Sequence, residues 1–170
     1  MMNKIQTLDK KIAFYFPQFY HHKVFSSIIK FIASIGDFGM IWIAIVLLLM
    51  TQKGTRELSI DMLEALLLAT LIGQVTIKSI VRRQRPCQRY HLDNLLVPIP
   101  NDFSFPSGHT TSSFACATTV LFFHPMIGII FMIFAVMMGF SRIYLFVHYF
   151  SDVIFAALLG TLVGILIVIL

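Results

Sequence analysis

Apolar positions in this chain run in long uninterrupted stretches and do not alternate with polar ones at a strand or surface-helix period. Several stretches reach the roughly 17 to 25 residues that a helix needs to cross a bilayer. Residues 25–50 predict a first span, with Lys30 and Asp37 near its start and Trp42 within it. A polar connector at 51–61 leads to a second span at about 62–81, whose last turns carry Lys78, with Arg82 and Arg83 just beyond. Residues 83–109 then form a long connector rich in Arg, Pro, Asn and Asp. From Thr110 to Phe140, 31 residues, no acidic or basic side chain occurs other than His124. One helix of that length would measure about 46 Å against a hydrocarbon core of about 30 Å, and His124-Pro125 supplies a break. Two short spans joined by a turn are therefore expected, then a connector at 141–149 and a last span at about 151–170.

The expected fold class is all-α: an integral membrane helical bundle of about five transmembrane helices over residues 25–170. Residues 1–24 form an N-terminal amphipathic segment in which Leu8, Ile12, Tyr15, Phe16 and Phe19 recur at roughly helical spacing among Lys10, Lys11 and Gln18. Such a segment is too short and too charged to cross, and is expected to lie in the interface. Tracing the chain back and forth brings the connectors 83–109 and 141–149 to one membrane face. The 51–61 connector, the His124 turn and the C-terminus fall on the other.

Composition agrees: 58% of the residues are hydrophobic and only 12% charged, about half the charged share of a soluble domain. The net charge of +5 fits anionic lipid better than nucleic acid in so apolar a chain, so no nucleic-acid partner is expected. The polar, basic start and the repeated apolar runs do not read as a cleaved leader. Cys87 and Cys116 suggest neither a disulfide nor a metal pattern. No carboxylate cluster of metal-site type occurs, so neither metal nor cofactor is implied. No obligate protein partner is evident.

Three polar clusters meet at the shared face: Lys78 with Arg85-Pro86; Pro106-Ser107-Gly108-His109; and Ser141-Arg142, His148 and Asp152. Taken singly, Lys78 and Arg85 could snorkel to headgroups and Arg142 could anchor a helix end. Taken together, three cations can surround a phosphoryl group, with arginine contacts bidentate and lysine a point charge. Ser107 is a plausible N-cap, Gly108 allows close backbone approach, and the first amides of the helix they precede can hold phosphate oxygens. His148 and Asp152, four residues apart, are expected on one face of the last helix. There the carboxylate would fix the imidazole tautomer and free the other nitrogen as nucleophile. His109 is then placed to protonate the leaving oxygen and later to accept a proton from water. Asp102, with no carboxylate partner nearby, reads as a loop residue.

On these residues the sequence resembles the type 2 phosphatidic acid phosphatase family, itself related to vanadium-dependent haloperoxidases. The family marks are Lys, six residues, Arg-Pro; then Pro-Ser-Gly-His; then Ser-Arg, five residues, His, three residues, Asp. All are met here in order. The resemblance covers roughly residues 25–170 and implies a helical membrane bundle, commonly of six spans, a first one of which this chain lacks. It implies His148 as nucleophile, Asp152 as its orienting partner, His109 as general acid, and Lys78, Arg85, Ser107, Gly108 and Arg142 as phosphate ligands.

The substrate implied is a lipid phosphate or diphosphate, with undecaprenyl diphosphate placed ahead of phosphatidylglycerol phosphate and phosphatidate. A vanadate-dependent peroxidase and a non-catalytic lipid-binding or transport protein are the competing classes. Counting Lys and Arg would put the site on the cytoplasmic side. Resemblance to bacterial enzymes, with the phosphate-binding cations discounted, instead implies a bacterial cytoplasmic-membrane protein whose site faces outward.

Overall fold

The computed structural model describes residues 2–170. The described residues form helices joined by turns: α1 (Met2–Tyr15), α2 (Lys23–Ile35), α3 (Met40–Met50), α4 (Arg56–Thr70), α5 (Lys78–Val81), α6 (Pro86–Tyr90), α7 (Gly108–Phe123), α8 (Pro125–Tyr144) and α9 (Phe150–Ile169). Among the described residues, three helical stretches are long and apolar enough to cross a membrane: Lys53–Tyr90, Pro125–Tyr144 and Phe150–Ile169. The pair Lys23–Ile35 and Asp37–Met50 makes a fourth if it is one span bent by 49°. The first expected span is therefore broken at Gly36, where a 3-10 turn carries Asp37, Phe38 and Gly39. The expected break at His124-Pro125 is present: α7 ends at Phe123 and α8 starts on Pro125, a residue suited to the first helical position. At 16 residues, α7 measures roughly 24 Å. That is shorter than the length of a typical span.

α7 is the central element, packed against α4, α8 and α9. Its closeness to α9 has a local cause. A Cβ on Gly160 would stand 2.3 Å from the Thr111 carbonyl oxygen, and one on Gly164 would stand 2.7 Å from that of Ala115. A small residue every fourth position is how helices approach where lipid offers no hydrophobic drive for association. Trp42 of α3 is fully buried and donates its indole N–H to Ser113 Oγ at 3.2 Å, tying α3 to the same helix. Outward, Leu47 and Leu48 of α3, Ile130 and Ile133 of α8, and Leu158 and Leu162 of α9 are exposed. An apolar exterior around a hydroxyl-rich central helix fits lipid as solvent.

α4 does not end at Thr70. It continues through a π-helical turn, Leu71–Ile77, into α5. Such a turn places extra residues in each revolution and rotates the side chains beyond it. The first of these is Lys78.

Candidate active site

The chain turns at the end of α5 with Arg82 in the left-handed region. Arg85 is extended, as a residue before proline prefers, and Pro86 opens α6. This geometry sends the Arg85 side chain inward, where it is 4% exposed. Its Nη1 donates to the Val147 carbonyl at 2.9 Å and lies 2.8 Å from His148 Nε2. Lys78 and Arg142 are also buried. The Arg142 Nε is enclosed without a hydrogen-bond partner among the described residues.

His148 lies in a tight turn between α8 and α9. The Arg142 carbonyl accepts the N–H groups of Val147 and His148, and Phe146 takes a positive φ of 61°. α9 begins only at Phe150, so His148 stands outside that helix. The expected shared helix face is therefore corrected. His148 Nδ1 lies 2.7 Å from the Ser104 carbonyl oxygen and 3.7 Å from Asp152 Oδ2. A carbonyl can only accept, so Nδ1 carries the proton, and the Nε2 lone pair accepts from Arg85 Nη1 at 2.8 Å. The residue that fixes the tautomer is Ser104, not Asp152. Asp152 instead caps α9, accepting the Tyr149 N–H at 2.9 Å. It also accepts from the Ser104 hydroxyl and from Arg83.

This second layer reaches the first helix of the chain. Arg83 Nη2 donates to Asp9 Oδ2 at 2.7 Å, and Asp9 accepts from the backbone N–H and hydroxyl of Ser151 at 2.9 and 2.6 Å. Sequence reasoning gives Asp9, Arg83 and Ser104 no role. Asp9 is the one acidic residue in the first 20, and Arg83 belongs to the basic cluster with Arg82 and Arg85. Those are the only sequence signals either residue gives.

Ser107 precedes α7 in an extended conformation. Its hydroxyl bonds to Thr110 Oγ1 at 2.9 Å and does not cap the helix; the first amides of α7 lack intrahelical acceptors by geometry. Gly108 does permit close approach, to Gln74 of the π-helical turn: a Cβ there would lie 2.7 Å from its amide carbon. His109 Nε2 is 2.9 Å from Asp37 Oδ1.

Asp102 is more than a loop residue. Its carboxylate takes Lys78 Nζ at 2.6 Å and Arg85 Nη2 at 2.7 Å, engaging two of the three cations as a pair of phosphate oxygens would. Partial burial alone would raise this carboxyl. The hydrogen bond from Lys78 and the charge of Arg85 outweigh burial and hold it at about 2.

An all-helical membrane bundle that gathers two histidines and three buried cations at one end defines a multi-pass membrane protein with an anion-accepting site. A model of the PAP2 superfamily matches residues 59–170, and the chain belongs to that superfamily. It is 35% identical over 127 residues to the undecaprenyl-diphosphatase of Sulfolobus acidocaldarius, covering 74% of this chain and 61% of that relative. To undecaprenyl-diphosphatase BcrC of Bacillus subtilis it is 31% identical over 149 residues, covering 86% of this chain and 75% of that one. The crystal structure of Aquifex aeolicus LpxE matches with a TM-score of 0.78 at 26% identity, over 97% of this chain and 94% of that one. A PAP2 type phosphatidylglycerolphosphate phosphatase from Bacillus subtilis shares the fold, with a TM-score of 0.79 at 24% identity over 97% and 85% of the two chains.

Proposed function

We propose that this protein hydrolyses the terminal phosphate of a membrane lipid phosphate or diphosphate through a phosphohistidine, with undecaprenyl diphosphate as the leading substrate. The observation that carries the reading is His148: Nδ1 is committed to the Ser104 carbonyl, and the Nε2 lone pair, held by Arg85 Nη1, becomes the nucleophile once Arg85 turns to the phosphate. In the first step Nε2 attacks phosphorus, the bond from phosphorus to the leaving oxygen breaks, and His109 gives that oxygen its proton. Lys78, Arg85, Arg142 and the first amides of α7 take the charge on the remaining oxygens. In the second step water attacks phosphorus, His109 accepts its proton, and the N–P bond breaks to release phosphate. Asp102 yields its two cations to the substrate. Asp152 acts by holding the Ser104 loop and the His148 turn together.

The names of the two relatives favour a prenyl diphosphate over a phosphoglyceride. The test is phosphate release in detergent or liposomes from undecaprenyl diphosphate, phosphatidylglycerol phosphate, phosphatidate and diacylglycerol diphosphate. The expected result is the fastest turnover on the first. Equal turnover of soluble phosphate esters would overturn the lipid assignment, and faster turnover of a phosphoglyceride would move it.

We further infer a bacterial cytoplasmic membrane with the site on the outer face. Lys78, Arg85 and Arg142 are buried and Arg83 is committed to two carboxylates, so these cations do not report on topology as free loop charges do. Lys10 and Lys11 of α1 stay exposed on the same face, which makes a direct measurement necessary. An Asn94→Cys variant labelled by a membrane-impermeant maleimide in intact cells supports the outer face; labelling only after lysis reverses it. α1 fits an interfacial position, with Ile5, Leu8, Phe14 and Tyr15 exposed beside its lysines.

A further inference from the structure

An acidic side chain inside an apolar span is costly unless it is paired or used, and Asp37 lies at the turn that breaks the first one. Its position is built with care. α2 stops at Ile35, and the next turn places Phe38 at φ 54° and Gly39 at φ 70°. A phenylalanine at positive φ is uncommon, and this one is 94% exposed, so the turn is not set by packing of its ring. Gly36 shows what holds the turn in place: a Cβ there would stand 2.4 Å from Met138 Cε and 3.0 Å from His109 Cδ2. The break thus seats the chain directly on the His109 ring and delivers the Asp37 carboxylate to Nε2 at 2.9 Å.

Among the described residues, His109 Nδ1 makes no hydrogen bond, so the two ring nitrogens are already distinguished. The charges that face the ring are Asp37 from the turn, Arg142 from α8 and Arg85 from the α5–α6 connector. Burial and the two guanidinium groups oppose a further cation, and the carboxylate on the ring counters them in part. His148, by contrast, is held by a neutral carbonyl. A carbonyl fixes a tautomer without favouring the imidazolium, which suits a nucleophile. A carboxylate fixes the tautomer and supports the imidazolium, which suits an acid.

We propose that Asp37 is a positioning residue for proton transfer: it holds His109 Nε2–H, so that Nδ1 is the atom that protonates the leaving oxygen and then takes a proton from water. This rests on the reading of His109 as the acid and base. In the first step the Nδ1–H bond breaks as the leaving oxygen gains its proton. Nε2–H stays on Asp37 throughout, and Nδ1 is left with the lone pair that water needs in the second step.

The test compares wild type with Asp37→Asn, Asp37→Glu and His109→Ala in detergent, on undecaprenyl diphosphate, on phosphatidate and on 4-nitrophenyl phosphate, whose leaving group needs little protonation. For Asp37→Asn, kcat on phosphatidate is expected to fall about 10- to 100-fold with KM within about twofold. The alkaline limb of kcat/KM should move to lower pH, the defect should shrink on 4-nitrophenyl phosphate, and Asp37→Glu should recover much of the loss. The proposal is overturned if Asp37→Asn keeps wild-type kcat and pH profile while His109→Ala is inactive, or if Glu is no better than Asn. An active His109→Ala enzyme would instead remove the underlying reading, and the proposal with it.

Discussion

The two histidines of this site sit in opposite surroundings. The His148 side chain is 2% exposed, held by a backbone carbonyl and backed by a layer of ion pairs that runs through Asp152 and Arg83 to Asp9. The His109 side chain is 19% exposed and, among the described residues, has a single partner, Asp37, itself 47% exposed. In the proposed mechanism, the group that attacks phosphorus is closely held, and the group that passes a proton to the leaving oxygen and takes one from water is left partly open. The difference teaches that preorganisation is concentrated where an atom must be aimed, and access is kept where a proton must pass.

This contrast can be broken most sharply at its locked end. His148→Ala should lower phosphate release by more than about a thousandfold, and the covalent phosphoenzyme, stable to base and labile to acid, should vanish from quenched reactions. Arg83→Ala should come next. It strands the buried Asp9 and Asp152 carboxylates, and losing one partner of such a group costs about 3–5 kcal/mol. The measurement is the unfolding midpoint in detergent; a variant as stable as wild type would show that the layer behind His148 carries no weight. Asp9→Asn should be milder, because its amide oxygen can still accept: about a tenfold fall in kcat with KM unchanged is expected, read from initial rates at saturating substrate.

The smallest effect belongs to Asp102. Replacing it by Asn frees Lys78 and Arg85 from a half-exposed carboxylate, and phosphate as a product inhibitor should bind about two- to fivefold more tightly. The pH behaviour of this residue has a definite sign. Its carboxyl in the folded chain is held below the ordinary value, at about 2. The ion pairs therefore contribute fully above the ordinary carboxylate range and are lost as pH falls through that lower value. Hydrogen exchange of residues 98–104, corrected for the intrinsic rate, should stay flat from about pH 8 down to about pH 4. Loss of protection near neutral pH would show that Asp102 does not tie the loop.

Legibility in the sequence divides along a similar line. Local chemistry was legible: the His124-Pro125 break and the delivery of Lys78, Arg85, His109, Arg142 and His148 to one face derive from apolar run lengths and from proline. Partnership across the bundle was not. Four-residue spacing suggested that Asp152 holds His148, whereas a chain reversal places His148 ahead of α9 and gives Nδ1 to Ser104. Asp37 was visible only as a charge in an apolar span, because its role depends on a bend that no single residue announces. Asp9 and Arg83 are 74 positions apart, and pairing at that distance is set by how helices pack.

Asp9 and Ser151 are separated by 142 positions. On a ribosome adding about 5–20 residues each second, Asp9 would wait roughly 7 to 28 s before the hydroxyl and amide that satisfy it are made. Through that interval the incomplete product holds neither the reversal at His148 nor its backing. On the proposed mechanism, competence therefore comes late in synthesis, when α9 closes on α1.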